Sequence, residues 1–187
     1  MLNKEAKKKL LQIAKKSIEE YLNKKKLPCF DVTEPDLLQT RGVFVTLHTK
    51  DGNLRGCIGH MVTNEPLYKV VSEMAIESAS NDSRFSPVTK QELKDLNIEI
   101  SILTLLRKIK SVNEIKLGTH GVLIKRGFNS GVFLPQVAKE TGWSLEEFLS
   151  NLCSGKAGLS EDAWKDKDTE IFIFEVEIVS EVSNVKS

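Results

Sequence analysis

An Asp51-Gly52 pair between two alternating runs constrains this chain more than any other feature. "GVFVTLHT" (42–49) and "LRGCIG" (54–59) flank Lys50, Asp51, Gly52 and Asn53. Asp-Gly supplies the positive φ that a tight hairpin turn needs. Strands joined this way are antiparallel neighbours in one sheet. On the second strand, strict alternation places Arg55, Cys57 and Gly59 on one face, and Leu54, Gly56 and Ile58 on the other. Arg55 needs water or a partner, so Cys57 shares its side with a charged group.

The rest of the chain mixes helices with further strands. Ala6, Leu10, Ile13, Ala14, Ile18, Tyr21 and Leu22 recur at helical steps, and Pro28 is expected to end that helix. Its lysines fall on the other face and are interrupted by Glu5, Glu19 and Glu20, as on a solvated surface. Leu67, Val70, Val71, Met74 and Ala75 form the stripe of a second helix, which "NDSRFSP" (81–87) breaks with turn formers. Thr89 with Glu92 reads as a capping box, and Ile98, Ile100 and Ile102 share one face of a strand. "GTHG" and "GFNSG" turn into short strands. Pro135 opens a helix that Gly142 ends, and Ser144 with Glu147 caps the next. The last strand, "EIFIFEVEIVS" (170–180), is expected to show Phe172, Phe174, Val176 and Ile178 on one face. Hairpins mixed with helices predict an α+β fold, a mainly antiparallel sheet flanked by helices. A chain of 187 residues is the size of one domain.

The bulk numbers exclude several functions. A net charge of +1 gives no global field toward nucleic acid or an anionic membrane. No apolar run is long enough to span a bilayer, and the basic N-terminus lacks a signal peptide's apolar core. Three widely spaced cysteines, Cys29, Cys57 and Cys153, point to a reduced cytoplasmic protein. Gly155-Lys156-Ala157 fails as a phosphate loop, and "RGFNSGVF" puts Ser130 where an RNA-binding sheet needs an aromatic. Cys57 and His60 make half of a metal site, with no second half, so no metal and no cofactor are expected. Cys57 as a nucleophile needs a cation such as Arg55 and a base such as His60 or His120. The competing reading is a small side chain packed where the backbone passes closely. His120, in its glycine-flanked turn, reads as a local hydrogen-bonding residue, and Arg84 as a tie from its loop to a carboxylate or a helix end, or as a ligand contact.

"LRGCIG" (54–59) resembles the hallmark of the AMMECR family. "RGVFVTL", "DSRFSPVTKQEL", "GTHGVLIK", "SGVFLPQV" and "GWSLEEFLSNLC" resemble further family blocks in the same order. The likeness runs from about residue 4 to about residue 181 and implies a single AMMECR domain. It implies two unequal lobes around a cleft, the larger holding both termini. It also implies component A of the AmmeMemoRadiSam system, acting with a Memo-like protein and a radical S-adenosylmethionine protein. The function expected is that of a binding or accessory protein recognising a small ligand or a partner segment. Its candidate ligand-binding residues are Arg55, Gly56, Cys57, Gly59, Arg84 and His120. An enzyme using Cys57 is the second reading, and a nucleic-acid-binding module the third. His60 departs from the small polar residue expected after the hallmark, which weakens it as a family-wide base.

Overall fold

The computed structural model of the chain describes residues 1–181. The chain divides into two compact units. The first comprises Met1–Leu103 and the chain from Glu177 onward, and the second is Thr104–Val176.

The first unit packs two long helices on one face of a sheet. Helix α1 (Lys4–Lys24) starts at Asn3, whose side chain accepts the Ala6 N–H at 2.9 Å. It stops at Lys25, left-handed at φ 55°, whose N–H bonds Tyr21 C=O; the stop therefore precedes Pro28. A short helix α2 (Pro35–Leu38) leads to the hairpin of β1 (Val43–Thr49) and β2 (Leu54–His60). Gly52 turns it at φ 83°. Helix α3 (Leu67–Ser80), β3 (Leu96–Leu103) and β8 (Val176–Ser180) complete the unit, with strand order β2-β1-β3-β8. Val43, Val45 and Leu47 of β1 and Ile98, Ile100 and Ile102 of β3 are buried with the α1 and α3 stripes. The helices approach through small residues: Ser17 Oγ and Ser72 Oγ lie 2.7 Å apart, and Ser17 also donates to Ile13 C=O. These hydroxyls are buried but satisfied, as close packing demands.

The second unit carries β4 (Arg107–Lys108), β5 (Gly121–Arg126), β6 (Asn129–Phe133), α4 (Pro135–Thr141), α5 (Leu145–Leu152) and β7 (Glu170–Phe174). Its sheet runs β4-β7-β5-β6, and its pairings are antiparallel. Gly142 ends α4 at φ 66°, and Ser144 and Glu147 exchange both bonds of a capping box before α5. Phe148 is fully buried and meets Phe133 edge-on at 5.1 Å between ring centroids.

The single last strand expected from "EIFIFEVEIVS" is two strands. Glu175 separates β7, in the second unit's sheet, from β8, in the first unit's sheet. The face assignment also changes. Ile171, Ile173, Phe174 and Val179 are buried, whereas Ile178 is 48% exposed. Residues 171–174 are apolar at every position, so alternation could not select a face. The fold is α+β with two antiparallel sheets. Among the described residues no helix is long and apolar enough to cross a membrane.

Candidate functional site

The segment LRGCIG (54–59) occupies β2, an edge strand. Its register with β1 slips between Leu47, opposite Gly56, and His48, opposite Leu54, so Arg55 is an extra residue in a β-bulge. Bulges bend an edge strand and re-aim its side chains. Strict alternation therefore fails at Arg55. Its guanidinium holds the Glu92 carboxylate through Nε and Nη2, and Nη2 also donates to Ser86 C=O at 2.9 Å. Arg55 draws the Glu92 carboxyl below its usual range, against a smaller opposing effect of burial. Glu92 sits in a single 3-10 turn (Glu92–Asp95), held by its reciprocal capping bonds with Thr89.

The two glycines are packing requirements. A Cβ on Gly56 would collide with the carbonyl oxygen of Ser78 on α3, and one on Gly59 with Val43 C=O and the Phe44 ring. The Ser78 hydroxyl accepts from Ile58 N–H at 2.9 Å and donates to Val45 C=O at 2.7 Å, so α3 is bonded into the hairpin where Gly56 lets it approach.

Cys57 is half-buried, and its Sγ accepts a hydrogen bond from Thr46 Oγ1 at 3.3 Å, directly across the strand pair. Both of its outward peptide groups are occupied by the turn after α3. The Asp82 carboxylate accepts Cys57 N–H at 2.8 Å, and Arg84 Nη2 donates to Cys57 C=O at 3.3 Å. Asp82 and Arg84 also pair with each other, Nε at 2.9 Å and Nη2 at 2.7 Å. This pair blunts an edge that would otherwise offer free backbone groups to another strand. Asp82 is 7% exposed. The Arg84 hydrogen bond holds its carboxyl far below the usual range; the Cys57 and Arg84 N–H groups add to the effect, and burial opposes it. Arg84 is itself held firmly cationic, by Asp82 first. Its guanidinium carbon lies 5.5 Å from the Phe85 ring centroid and that of Arg55 5.8 Å, so one aromatic ring adjoins both cations.

Strand β2 and the turn after α3 thus gather Arg55, Gly56, Cys57, Gly59 and Arg84 in one place. They do not gather the histidines in the same way. His60 is exposed at the end of β2, and among the described residues no hydrogen bond links an imidazole to Cys57. His120 belongs to the other unit, where its Nδ1 accepts Lys116 N–H at 3.1 Å. Two carboxylates anchor the arginines: Asp82, which the sequence pattern does not pick out, and Glu92, which it marks only as half of a capping box with Thr89. A carboxylate two residues before Arg84 in a turn was the available signal for Asp82. Among the described residues, no three His, Cys, Asp or Glu side chains converge to hold a metal.

A family model, AMMECR1, matches residues 11–179. The chain belongs to the AMMECR1 family. A protein of Methanothermobacter thermautotrophicus is 42% identical over 179 residues, covering 92% of each chain. Protein NEQ441 of Nanoarchaeum equitans is 40% identical over 92% of this chain and 98% of its own. The crystal structure of protein PH0010 from Pyrococcus horikoshii superposes with a TM-score of 0.84 at 39% identity, covering 95% of this chain and 92% of that one. The fold described above is therefore the AMMECR1 fold.

Proposed function

We propose that this AMMECR1-family chain is a cytoplasmic binding or accessory protein that works with Memo-like and radical S-adenosylmethionine proteins through the hallmark surface. One observation carries the reading. The polar groups around Cys57 are consumed in holding one another: Arg55 by Glu92, Arg84 by Asp82, and the Cys57 peptide by both members of the second pair. Such a network presets a surface for recognition. Arg84, 54% exposed at its side chain, is its outward element, with the half-buried Phe85 ring beside it. Three free cysteines agree with a reducing compartment.

The test is association of the purified full-length chain with each partner protein, by calorimetry or co-elution. Binding that Arg84→Ala weakens at least tenfold is expected. A wild-type chain that binds neither partner overturns the proposal. The half-exposed Cys57 thiol favours the second reading, an enzyme with a cysteine nucleophile. Cys57→Ser discriminates: a binding protein keeps its partner affinity, whereas a cysteine enzyme keeps its binding and loses turnover. Nucleic-acid binding, the third reading, would require retention on oligonucleotides that falls steeply with salt.

A further inference from the structure

The second unit contains a groove of about 320 Å³ that the hallmark does not use. Leu105, 76% exposed, forms an aliphatic wall, and the buried side chains of Ile173 and Phe174 underlie it. Its charges are unevenly satisfied. Arg107 donates to Glu114 at 2.6 Å, so that cation is already paired. Glu175 is different. Its backbone is fixed, because Thr104 N–H bonds Glu175 C=O and Glu175 N–H bonds Thr104 Oγ1, both at 2.9 Å. Its carboxylate is 58% exposed, and among the described residues no lysine or arginine pairs with it. His120 Nε2 lies 3.9 Å from it, beyond hydrogen-bond reach.

His120 is oriented from the opposite side. Its ring is nearly buried, and Nδ1 is committed to accepting Lys116 N–H at 3.1 Å. With Nδ1 accepting, the ring proton sits on Nε2, as a donor. The groove therefore presents one carboxylate without a lysine or arginine partner and one aimed N–H donor, 3.9 Å apart, beside an aliphatic wall.

We infer that this groove binds an α-ammonium group with its adjacent carbonyl on an aliphatic residue. The ammonium is held by Glu175, the carbonyl oxygen by His120 Nε2–H, and the side chain lies against Leu105. An anionic ligand is disfavoured, because it would face the exposed Glu175 carboxylate, which among the described residues no lysine or arginine neutralises. Two sources share this chemistry, a free amino-acid derivative and the N-terminus of a peptide. This site is independent of the hallmark proposal and stands or falls without it.

The test is a titration of the isotope-labelled full chain, followed by amide chemical shifts. The probes are leucinamide, leucyl-glycyl-glycinamide and N-acetyl-leucinamide. Saturable shifts at His120, Gly121 and Glu175 are expected with the first two and none with the acetylated probe, which lacks the charge. Glu175→Gln should weaken binding at least about tenfold, with shifts outside the groove unchanged. Tighter binding of the tripeptide amide identifies a peptide N-terminus as the source, and equal binding a free amino-acid derivative. Equal binding of the acetylated probe, undiminished binding by the Glu175→Gln protein, or no saturable shift with any probe overturns the inference.

Discussion

Replacing Asp82 by asparagine puts an amide donor where the fold needs acceptors. The wild-type carboxylate takes bonds from Cys57 N–H, Arg84 N–H, Arg84 Nε and Arg84 Nη2, at 2.7–3.2 Å. Asparagine keeps one oxygen for these donors and turns an NH2 group toward the rest. A hydrogen bond to a charged group contributes about 1.5–3 kcal/mol. Two such bonds are lost or weakened, but Arg84 is more than half exposed and recovers much of its share from water. A net loss of about 2–3 kcal/mol is expected near neutral pH, or roughly 1 M in the urea midpoint for a typical small-protein slope. The pH dependence has a definite sign. The folded-state Asp82 carboxyl titrates below its unfolded value of about 3.9, so its contribution is complete well above that value. It is lost as pH falls toward the folded-state value. Urea titrations of both proteins at pH 7, 5 and 3 measure this. The gap between them should be equal at pH 7 and 5 and smaller at pH 3. A variant within about 0.5 kcal/mol of wild type at pH 7, below the typical net worth of one hydrogen bond, or a gap unchanged at pH 3, would refute the role given to Asp82.

Other perturbations probe the remaining parts. Gly56→Ala drives a Cβ into the Ser78 carbonyl of α3, and should lower stability by about 3 kcal/mol, read as a fall in the urea midpoint. Phe148→Ala empties a fully buried site beside Phe133 and should cost about 3–5 kcal/mol by the same measurement. Alkylation by iodoacetamide, followed by peptide mass spectrometry, should order the cysteines by exposure: Cys29 first, half-buried Cys57 next, Cys153 last. Burial raises the Cys153 thiol above its ordinary range, so equal rates for Cys153 and Cys29 would contradict the packing of α5.

Much of the fold was legible because its signals are local. Gly52 and Gly142 adopt the positive φ their positions imply, Ser144 and Glu147 exchange capping bonds, and Ile98, Ile100 and Ile102 turn inward together. The site was legible in part. Arg84 does tie its turn to a carboxylate, but the identity of that carboxylate, Asp82, and the pairing of the capping-box residue Glu92 with Arg55 lie outside what the chain's pattern picks out. The bulge at Arg55 interrupts an alternation that the letters alone present as continuous.

The sequence by itself determined the α+β class, the hairpin turned at Asp51-Gly52, both ends of α4, the start of α5, and the family. These depend on backbone preferences and side-chain periods that act within a few residues. Tertiary structure decided the rest. It broke the last apolar run at Glu175 and sent its halves to different sheets. It placed His120 in a different unit from Cys57 and bonded the Cys57 peptide to a turn 25 residues away in sequence. Those outcomes are set by which distant surfaces bury one another and which donors are left to be satisfied. No local period encodes either.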